Sequence, residues 1–452
     1  MTSPATPTTS APTTPAPSGP AAATGPAAEV VTHALLQDVT LPDGRTLALV
    51  TLDNGLDHTR PNTFGPTSIA ELAHVVGVLR HRAEAGEIVA VGLTGKPFIF
   101  AVGADLSGVP YVTSRDQALE IARAGHAAFS AIMDLPVPTF AFVNGAVMGG
   151  GVEAALACDY RTISAGVPAL ALPETFLGLV PGWGGCWMLP NLVGVENALK
   201  VIIENPLSMN RMLKGPQAYA LGLADAMFAP ADFLESSIAW AAAVLSGAVV
   251  VDRPAVNRDE SAWNAACDAA YDLAATKTGG RAPAPFRAVD LVRNARTLSR
   301  EAGFAAEDDA LGDLVMSDEL RAGLYAFDLT QKRAKRPAGA PDKAFARPVT
   351  TVGIVGAGLM ASQLALLFAQ KLGVPVVMTD LDEARVAKGV GWVHAQIAEL
   401  ATKRRIGPDK ATFLTGLVTG ATDKAGFADA DFVIEAVFEE FGVKKQVWAE
   451  VE

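Results

Sequence analysis

Two glutamates stand apart from the other charged residues of this chain because of their neighbours. Glu153 lies in Gly151-Val152-Glu153-Ala154-Ala155-Leu156, and Glu174 follows Ala171-Leu172-Pro173. A carboxylate in so apolar a stretch loses hydration on folding, which raises its pKa. Two such groups can serve as general acid and general base near neutral pH. Two glycine-bearing turns accompany them. One is Phe100-Ala101-Val102-Gly103-Ala104-Asp105-Leu106, and the other runs from Val143 through Gly149-Gly150-Gly151 into the Glu153 helix. Glycines at a helix start let a ligand approach the bare backbone. The first helical amides have no internal partner, so a negative oxygen can bind there. A glycine triplet alone also serves a tight turn or close packing, and most helical glutamates are simply solvated.

A second set of residues has the spacing of a dinucleotide site. Thr351-Val352-Gly353-Ile354-Val355 reads as a buried strand, and Gly356-Ala357-Gly358-Leu359-Met360-Ala361-Ser362 follows it. A helix is expected from Gln363 to Leu372, then a strand from Pro375 that ends at Asp380. Gly356 and Gly358 suit the turn, and Ala361 stands where a third glycine often does, an accepted variant. Asp380 lies 380 − 358 = 22 residues after Gly358, near the ~20 of a ribose-binding acid, which favours NAD over NADP. A Rossmann-like domain that binds no nucleotide is the competing reading.

Positioning these groups requires alternating strands and helices. Strands are expected at 46–52, 88–94, 98–100 and 138–143, with helices at 69–85 and 115–133. That alternation implies stacked, largely parallel sheets. Residues 1–28 are nearly all Ala, Pro, Thr, Ser and Gly, a tail expected to be disordered. The core domain is placed at 29–230, an Ala-rich helical extension and linker at 231–347, and a new domain at 348–452.

The two turns, the intervening helix and the two carboxylates resemble the crotonase, or enoyl-CoA hydratase/isomerase, superfamily across roughly residues 46–230. Its most specific parts are the Gly149–Gly151 turn and the Pro173–Gly185 segment. The resemblance implies an α/β fold with a stacked ββα core. It implies an oxyanion hole made by the backbone amides of Ala104 and Gly150, with Glu153 activating water and Glu174 exchanging the C2 proton. Having both acids favours hydration of a trans-2-enoyl-CoA. Enoyl isomerisation, acyl-CoA hydrolysis and a non-catalytic acyl-CoA-binding role remain alternatives. Trp183, Cys186 and Trp187 depart from the simple hydratase pattern and are read as packing residues. His58 and His126 have no sequence neighbours that would make them catalysts. Arg60 and Lys96, near strand ends, are candidates to meet the coenzyme, but surface charges are usually only solvated, and the coenzyme contacts stay unassigned.

The segment Asp431-Phe432-Val433-Ile434-Glu435-Ala436-Val437-Phe438-Glu439-Glu440, with Lys444 after it, resembles 3-hydroxyacyl-CoA dehydrogenases. Glu439 and Lys444 match that family's nicotinamide-side contacts. The matching region is an incomplete Rossmann domain, and the residues matching the family's catalytic histidine and its partners lie beyond it. Competent dehydrogenase activity is therefore expected only of a longer chain. The order hydratase, linker, dehydrogenase resembles multifunctional α subunits of fatty-acid oxidation. That resemblance implies a thiolase β subunit as a partner and a homo-oligomer or multienzyme complex.

Composition limits the other classes. Half of the 452 residues are hydrophobic, 19% are charged and the net charge is −12. Such a chain can build two or three cored domains and has no global positive field for nucleic acid. The three cysteines, Cys158, Cys186 and Cys267, show no paired or metal-ligand spacing. A reducing cytoplasm is the expected compartment. No run reaches the ~18–20 apolar residues of a membrane span, and the N-terminus does not read as a signal peptide.

Overall fold

The computed structural model describes residues 28–452 apart from 335, 336 and 338. The expected tail therefore lies, but for residue 28, outside the described residues. The chain divides into two compact units, Met1–Pro337 and Ala338–Glu452.

The first unit contains strands β1 (His33–Thr40), β2 (Thr46–Asp53), β3 (Ala90–Gly95), β4 (Ile99–Ala101), β5 (Thr139–Val143), β6 (Ala146–Met148), β7 (Tyr160–Ser164), β8 (Leu170–Ala171) and β9 (Ala226–Phe228). Six of them form one sheet in the order β1-β2-β3-β5-β7-β9. Every side chain of β3 and β5 is buried, as expected of parallel strands covered on both faces. The edge strand β1 pairs antiparallel with β2 and is mostly exposed. It was not among the expected strands, because only Ala34 of its eight residues is fully buried.

A smaller parallel sheet, β4-β6-β8, positions the candidate site residues. Its three C-terminal ends lie side by side. β4 leads into the Gly103–Ala104 turn, β6 into Gly149 and β8 into Pro173 and Glu174. Parallel pairing thus gathers at one edge three segments that lie far apart in the chain.

The helices on these sheets begin with α1 (Pro66–Glu84) and α2 (Arg115–Met133). Glu29 closes the start of α1 from outside, accepting hydrogen bonds from Thr67 N (2.9 Å) and Ser68 N (3.0 Å). The Ser114 side chain caps α2, whose buried face includes Ala118, Ala122, Gly125, His126, Phe129 and Ile132. The spacing is that of one helical stripe. Next come α3 (Gly150–Leu156), α4 (Glu174–Leu177), α5 (Gly185–Val193), α6 (Val195–Leu199), α7 (Gly215–Ala220) and α8 (Phe233–Leu245).

Four further α-helices follow among the described residues of the unit: α9 (Glu260–Thr278), α10 (Pro283–Asn294), α11 (Arg300–Val315) and α12 (Asp318–Asp328). They do not form a loose connection. α11 packs on α2 and α5, and α12 packs on α4. Glycines permit the close fit: a Cβ on Gly323 of α12 would lie 2.2 Å from the Leu177 carbonyl oxygen.

The second unit is a four-stranded parallel sheet. Its strands are β10 (Val352–Val355), β11 (Val376–Thr379), β12 (Val418–Ala421) and β13 (Phe432–Glu435), in the order β12-β11-β10-β13. Helices α13 (Leu359–Leu372), α14 (Glu383–Thr402), α15 (Pro408–Leu417) and α16 (Phe441–Val451) accompany it. The strand order reverses at β10, and doubly wound sheets take their ligands at such a point.

Candidate active site

Gly103 and Gly149–Gly150 bring the two turns of the first unit together. A Cβ on Gly103 would lie 3.4 Å from Gly150 N and 3.5 Å from the Gly149 Cα. A bridge between Phe64 and Ala104 sets the first turn. Its hydrogen bonds run from Phe64 N to Gly103 O and from Asp105 N to Phe64 O, each 2.9 Å. Those bonds leave the Ala104 N–H on the other side of the strand. Gly150 is the first residue of α3, so its N–H has no intrahelical acceptor.

Both glutamates reach this junction. Glu153, only 2% exposed, projects from α3. Its Oε1 accepts hydrogen bonds from Trp183 N (2.8 Å) and Gly185 N (2.9 Å). Glu174 begins α4, and its Oε2 is buried with no hydrogen-bond partner. Its other oxygen lies against Gly149: a Cβ there would be 2.5 Å from Glu174 Oε1.

Their environments raise the pKa of both acids. Burial raises the Glu153 pKa to about 7, assisted by the Glu307 charge and opposed by the Trp183 and Gly185 amides and by His126. Burial and then the charge of Glu153 push Glu174 well above the usual carboxylate range. Its unpartnered Oε2 offers that carboxyl no compensation.

Trp183 walls the site. Its six-membered ring packs on Gly150 and its pyrrole edge on Gly125, where in each case a Cβ would collide. Its ring makes edge contacts with Phe64 and Phe129 at centroid distances of 6.5 and 5.7 Å. Cys186 is fully buried, and burial raises its thiol pKa well above normal, so it is no nucleophile. A cavity of about 770 Å³ lies elsewhere in the unit, between α5–α8 and residues 249–257, and neither glutamate lines it.

Lys96 does not face outward as its position near a strand end implied. It is 3% exposed. Its ammonium donates to Asn54 Oδ1 and to the carbonyls of Leu56 (3.0 Å), Asp57 (3.2 Å) and Arg60 (2.6 Å). Burial of a long cationic side chain demands such acceptors, and here they pin the 54–60 loop. Arg60 is exposed.

In the second unit β10 runs into Gly356 at φ +115°, where a Cβ would lie 2.6 Å from the Ala436 carbonyl oxygen. No side chain but that of glycine fits this turn. Around Gly358 the space is open, with no atom within 4 Å of an added Cβ. The first amides of α13 have no side-chain cap, and Ala361 is fully buried on that helix. Asp380 follows β11, and its Oδ2 accepts from Ala357 N at 2.8 Å, joining the acid to the turn. An open glycine turn, uncapped helix amides and a tethered acid fit a dinucleotide.

Lys444 lies 3.1 Å from Glu439 and 2.7 Å from Glu435. Burial works against ionised Glu435, but the hydrogen bonds from Lys444 and the Val437 amide, with the Lys444 charge, together outweigh it and lower that pKa. Glu435 was missed from sequence because its partner is nine residues away, on the next helix.

Comparison with known proteins finds a family match in each unit. Residues 44–258 match the enoyl-CoA hydratase/isomerase family. Residues 351–452 match the NAD-binding domain of 3-hydroxyacyl-CoA dehydrogenase. The two matches follow one another along the chain, one in each unit. Its relatives include fatty acid oxidation complex subunit alpha of Shewanella loihica, 31% identical over 427 residues, 90% of this chain and 58% of that protein. The corresponding subunit of Shewanella halifaxensis is 31% identical over 420 residues, 90% of this chain and 56% of that protein. The chain thus spans less than two thirds of these relatives' length. A solved structure of Pseudomonas aeruginosa DspI is 30% identical and covers 49% of this chain and 83% of its own, with a TM-score of 0.40.

Proposed function

We propose that the first unit adds water to trans-2-enoyl-CoA thioesters to give 3-hydroxyacyl-CoA. The observation that carries this reading is two desolvated carboxyl groups, Glu153 and Glu174, set against the backbone amides of Ala104 and Gly150. The resemblance assigns their roles. Glu153, its pKa raised to about 7, takes a proton from water as the oxygen attacks C3. Glu174, whose pKa burial raises well above the usual carboxylate range, gives its proton to C2. The thioester oxygen gains enolate charge and is received by the N–H groups of Ala104 and Gly150, each such donor contributing ~3–4 kcal/mol. Water is thereby split between C3 and C2, and transfer of one proton from Glu153 to Glu174 restores the starting state.

The test is loss of conjugated enoyl-thioester absorbance with short- and long-chain substrates. Turnover supports the reading and ranks the chain lengths. No turnover by the folded protein leaves acyl-CoA binding as the role.

For the second unit the proposal is NAD binding at Gly356, Gly358, Ala361 and Asp380, with Glu439 and Lys444 on the nicotinamide side. Bound there, NAD would supply the hydride acceptor for oxidation of the hydroxyacyl product at C3, a reaction proposed for a chain of the relatives' full length. The residues here would bind and orient the dinucleotide, Asp380 at the ribose hydroxyls and the α13 amides at the pyrophosphate. Asp380→Ala should weaken NADH binding about 10–100-fold, the equivalent of one hydrogen bond to a charged group. It should also relax discrimination against NADPH. Fluorescence titration with both nucleotides reads this, and unchanged NADH affinity would refute the assignment. A thiolase partner and a homo-oligomeric or multienzyme assembly, in the cytoplasm, complete the proposal. Its support is kinship with subunits named for a complex. Among the described residues no helix is long and apolar enough to cross a membrane.

A further inference from the structure

We infer that His126 and Glu307 form a buried ion pair that positions the Trp183–Trp187 turn and, through it, the carboxylate of Glu153. The inference deepens the hydratase reading and rests on it.

The turn is held from two sides by alternating amides. Trp183 N and Gly185 N donate to Glu153 Oε1. Gly184 N donates to Glu307 Oε2 at 2.6 Å, and Trp187 N to Glu307 Oε1 at 2.8 Å. Consecutive amides can point to opposite sides because Gly184 adopts φ +110°. Glu153 and Glu307 therefore share one short segment, and neither can shift without moving the other's donors.

Glu307 comes from α11, outside the residues 44–258 that match the hydratase family. It is 1% exposed, and an unpaired charge there would be costly. His126 of α2 compensates in part: burial still holds the Glu307 carboxyl above its ordinary pKa, against the His126 contact and the Gly184 and Trp187 amides. Its Nε2 lies 3.3 Å from Glu307 Oε2 and its Nδ1 2.7 Å from Asp308 Oδ1. Phe304 stacks on the imidazole at 4.4 Å and 20°. Phe304, Glu307 and Asp308 are at i, i+3 and i+4, so one face of α11 delivers all three. Burial opposes a charged imidazole, but the hydrogen bonds to Asp308 and Glu307 prevail and raise His126 to about 9.

The remaining groups facing this cluster are Glu174, Cys186 and, 4.0 Å from Asp308, Arg123. Within that set Glu307 holds a proton on Glu153 more firmly, and His126 holds it less firmly. The two members of the pair thus act on Glu153 with opposite signs.

The test uses the full chain with trans-2-butenoyl-CoA and compares Glu307→Gln, His126→Gln and the unsubstituted protein. Kinetics give kcat, KM and the acid limb of the pH–rate profile. Carbon-13 NMR of labelled glutamate carboxyls, assigned with Glu153→Gln, follows the Glu153 titration without turnover. Each variant should lower kcat about 10–100-fold, the range for partners that orient a reacting group, with KM changed less than about twofold. The Glu153 titration and the acid limb should move to lower pH in Glu307→Gln and to higher pH in His126→Gln. Movement of both in the same direction, or of neither, overturns the inference, as does a change confined to melting temperature. If Glu307→Gln does not fold, His126→Gln decides by the same criteria. If the unsubstituted protein does not turn over, the hydratase reading fails, while the NMR titration still decides whether the pair sets the Glu153 carboxyl.

Discussion

Glu153→Gln should lose hydration activity by roughly 10²–10⁴-fold, the usual contribution of a positioned general base, and should also melt at a higher temperature than the unsubstituted protein at pH 8. Gln cannot take a proton from water. It does keep an Oε1 that can accept from both Trp183 N and Gly185 N, the two bonds Glu153 makes through that atom. The stability gain follows from the sign of the pKa shift. The folded-state value is about 7, raised from 4.5, so the folded protein binds this proton more tightly than the unfolded chain does. Its stabilising contribution is complete below about pH 4.5 and is lost as pH rises through about 7. Above that, ionised Glu153 costs on the order of 3 kcal/mol, which Gln removes. Melts at pH 8 and pH 5 check this: the variant's advantage should be large at pH 8 and shrink at pH 5. A variant that melts lower at pH 8 would show the carboxylate to be a stabilising group.

Gly149→Ala should reduce turnover at least about 100-fold, in line with the sensitivity of catalysis to small misplacements. Gly149 has φ +50° and ψ −128°, a conformation that costs an L side chain about 1–3 kcal/mol. Its new Cβ would lie 2.5 Å from Glu174 Oε1, so the carboxyl that supplies the C2 proton has to move. Gly247→Ala is the matched control. Gly247 also has a positive φ, +76°, but nothing lies within 4 Å of an added Cβ. It should lose comparable stability and keep its rate. Equal activity losses in the two variants would mean that strain alone, and not displacement of Glu174, lowers the rate.

Both predictions rest on residues that could be chosen from sequence, because each belongs to a short local pattern. Glycines before a helix, an acid one turn later and an acid after a proline can be read from neighbours alone. The Gly356–Asp380 spacing is legible in the same way, since one strand, one turn and one helix separate the two residues. Contacts made across the fold are not legible. His126 looked like an isolated histidine, yet it meets Glu307, 181 residues away. Its place on the Ala122, Gly125, Phe129 stripe of α2 was the available signal: a polar side chain on a buried face needs a partner. Lys96 was placed near a strand end correctly, but its direction depends on the carbonyls of the 54–60 loop, which no local pattern reveals. Residues 231–347 read as an Ala-rich helical extension and linker because the packing partners of α11 and α12, namely α2, α4 and α5, come from much earlier in the chain.

The central claim is that the two carboxylates add water across the double bond, and product analysis in heavy-oxygen water tests it most directly. The full chain is incubated with trans-2-butenoyl-CoA in that solvent and the products are examined by mass spectrometry. The account predicts 3-hydroxybutanoyl-CoA with one heavy oxygen on C3 and an intact thioester. Free coenzyme with the label in a carboxylate, or an unlabelled product with a shifted double bond, would contradict it.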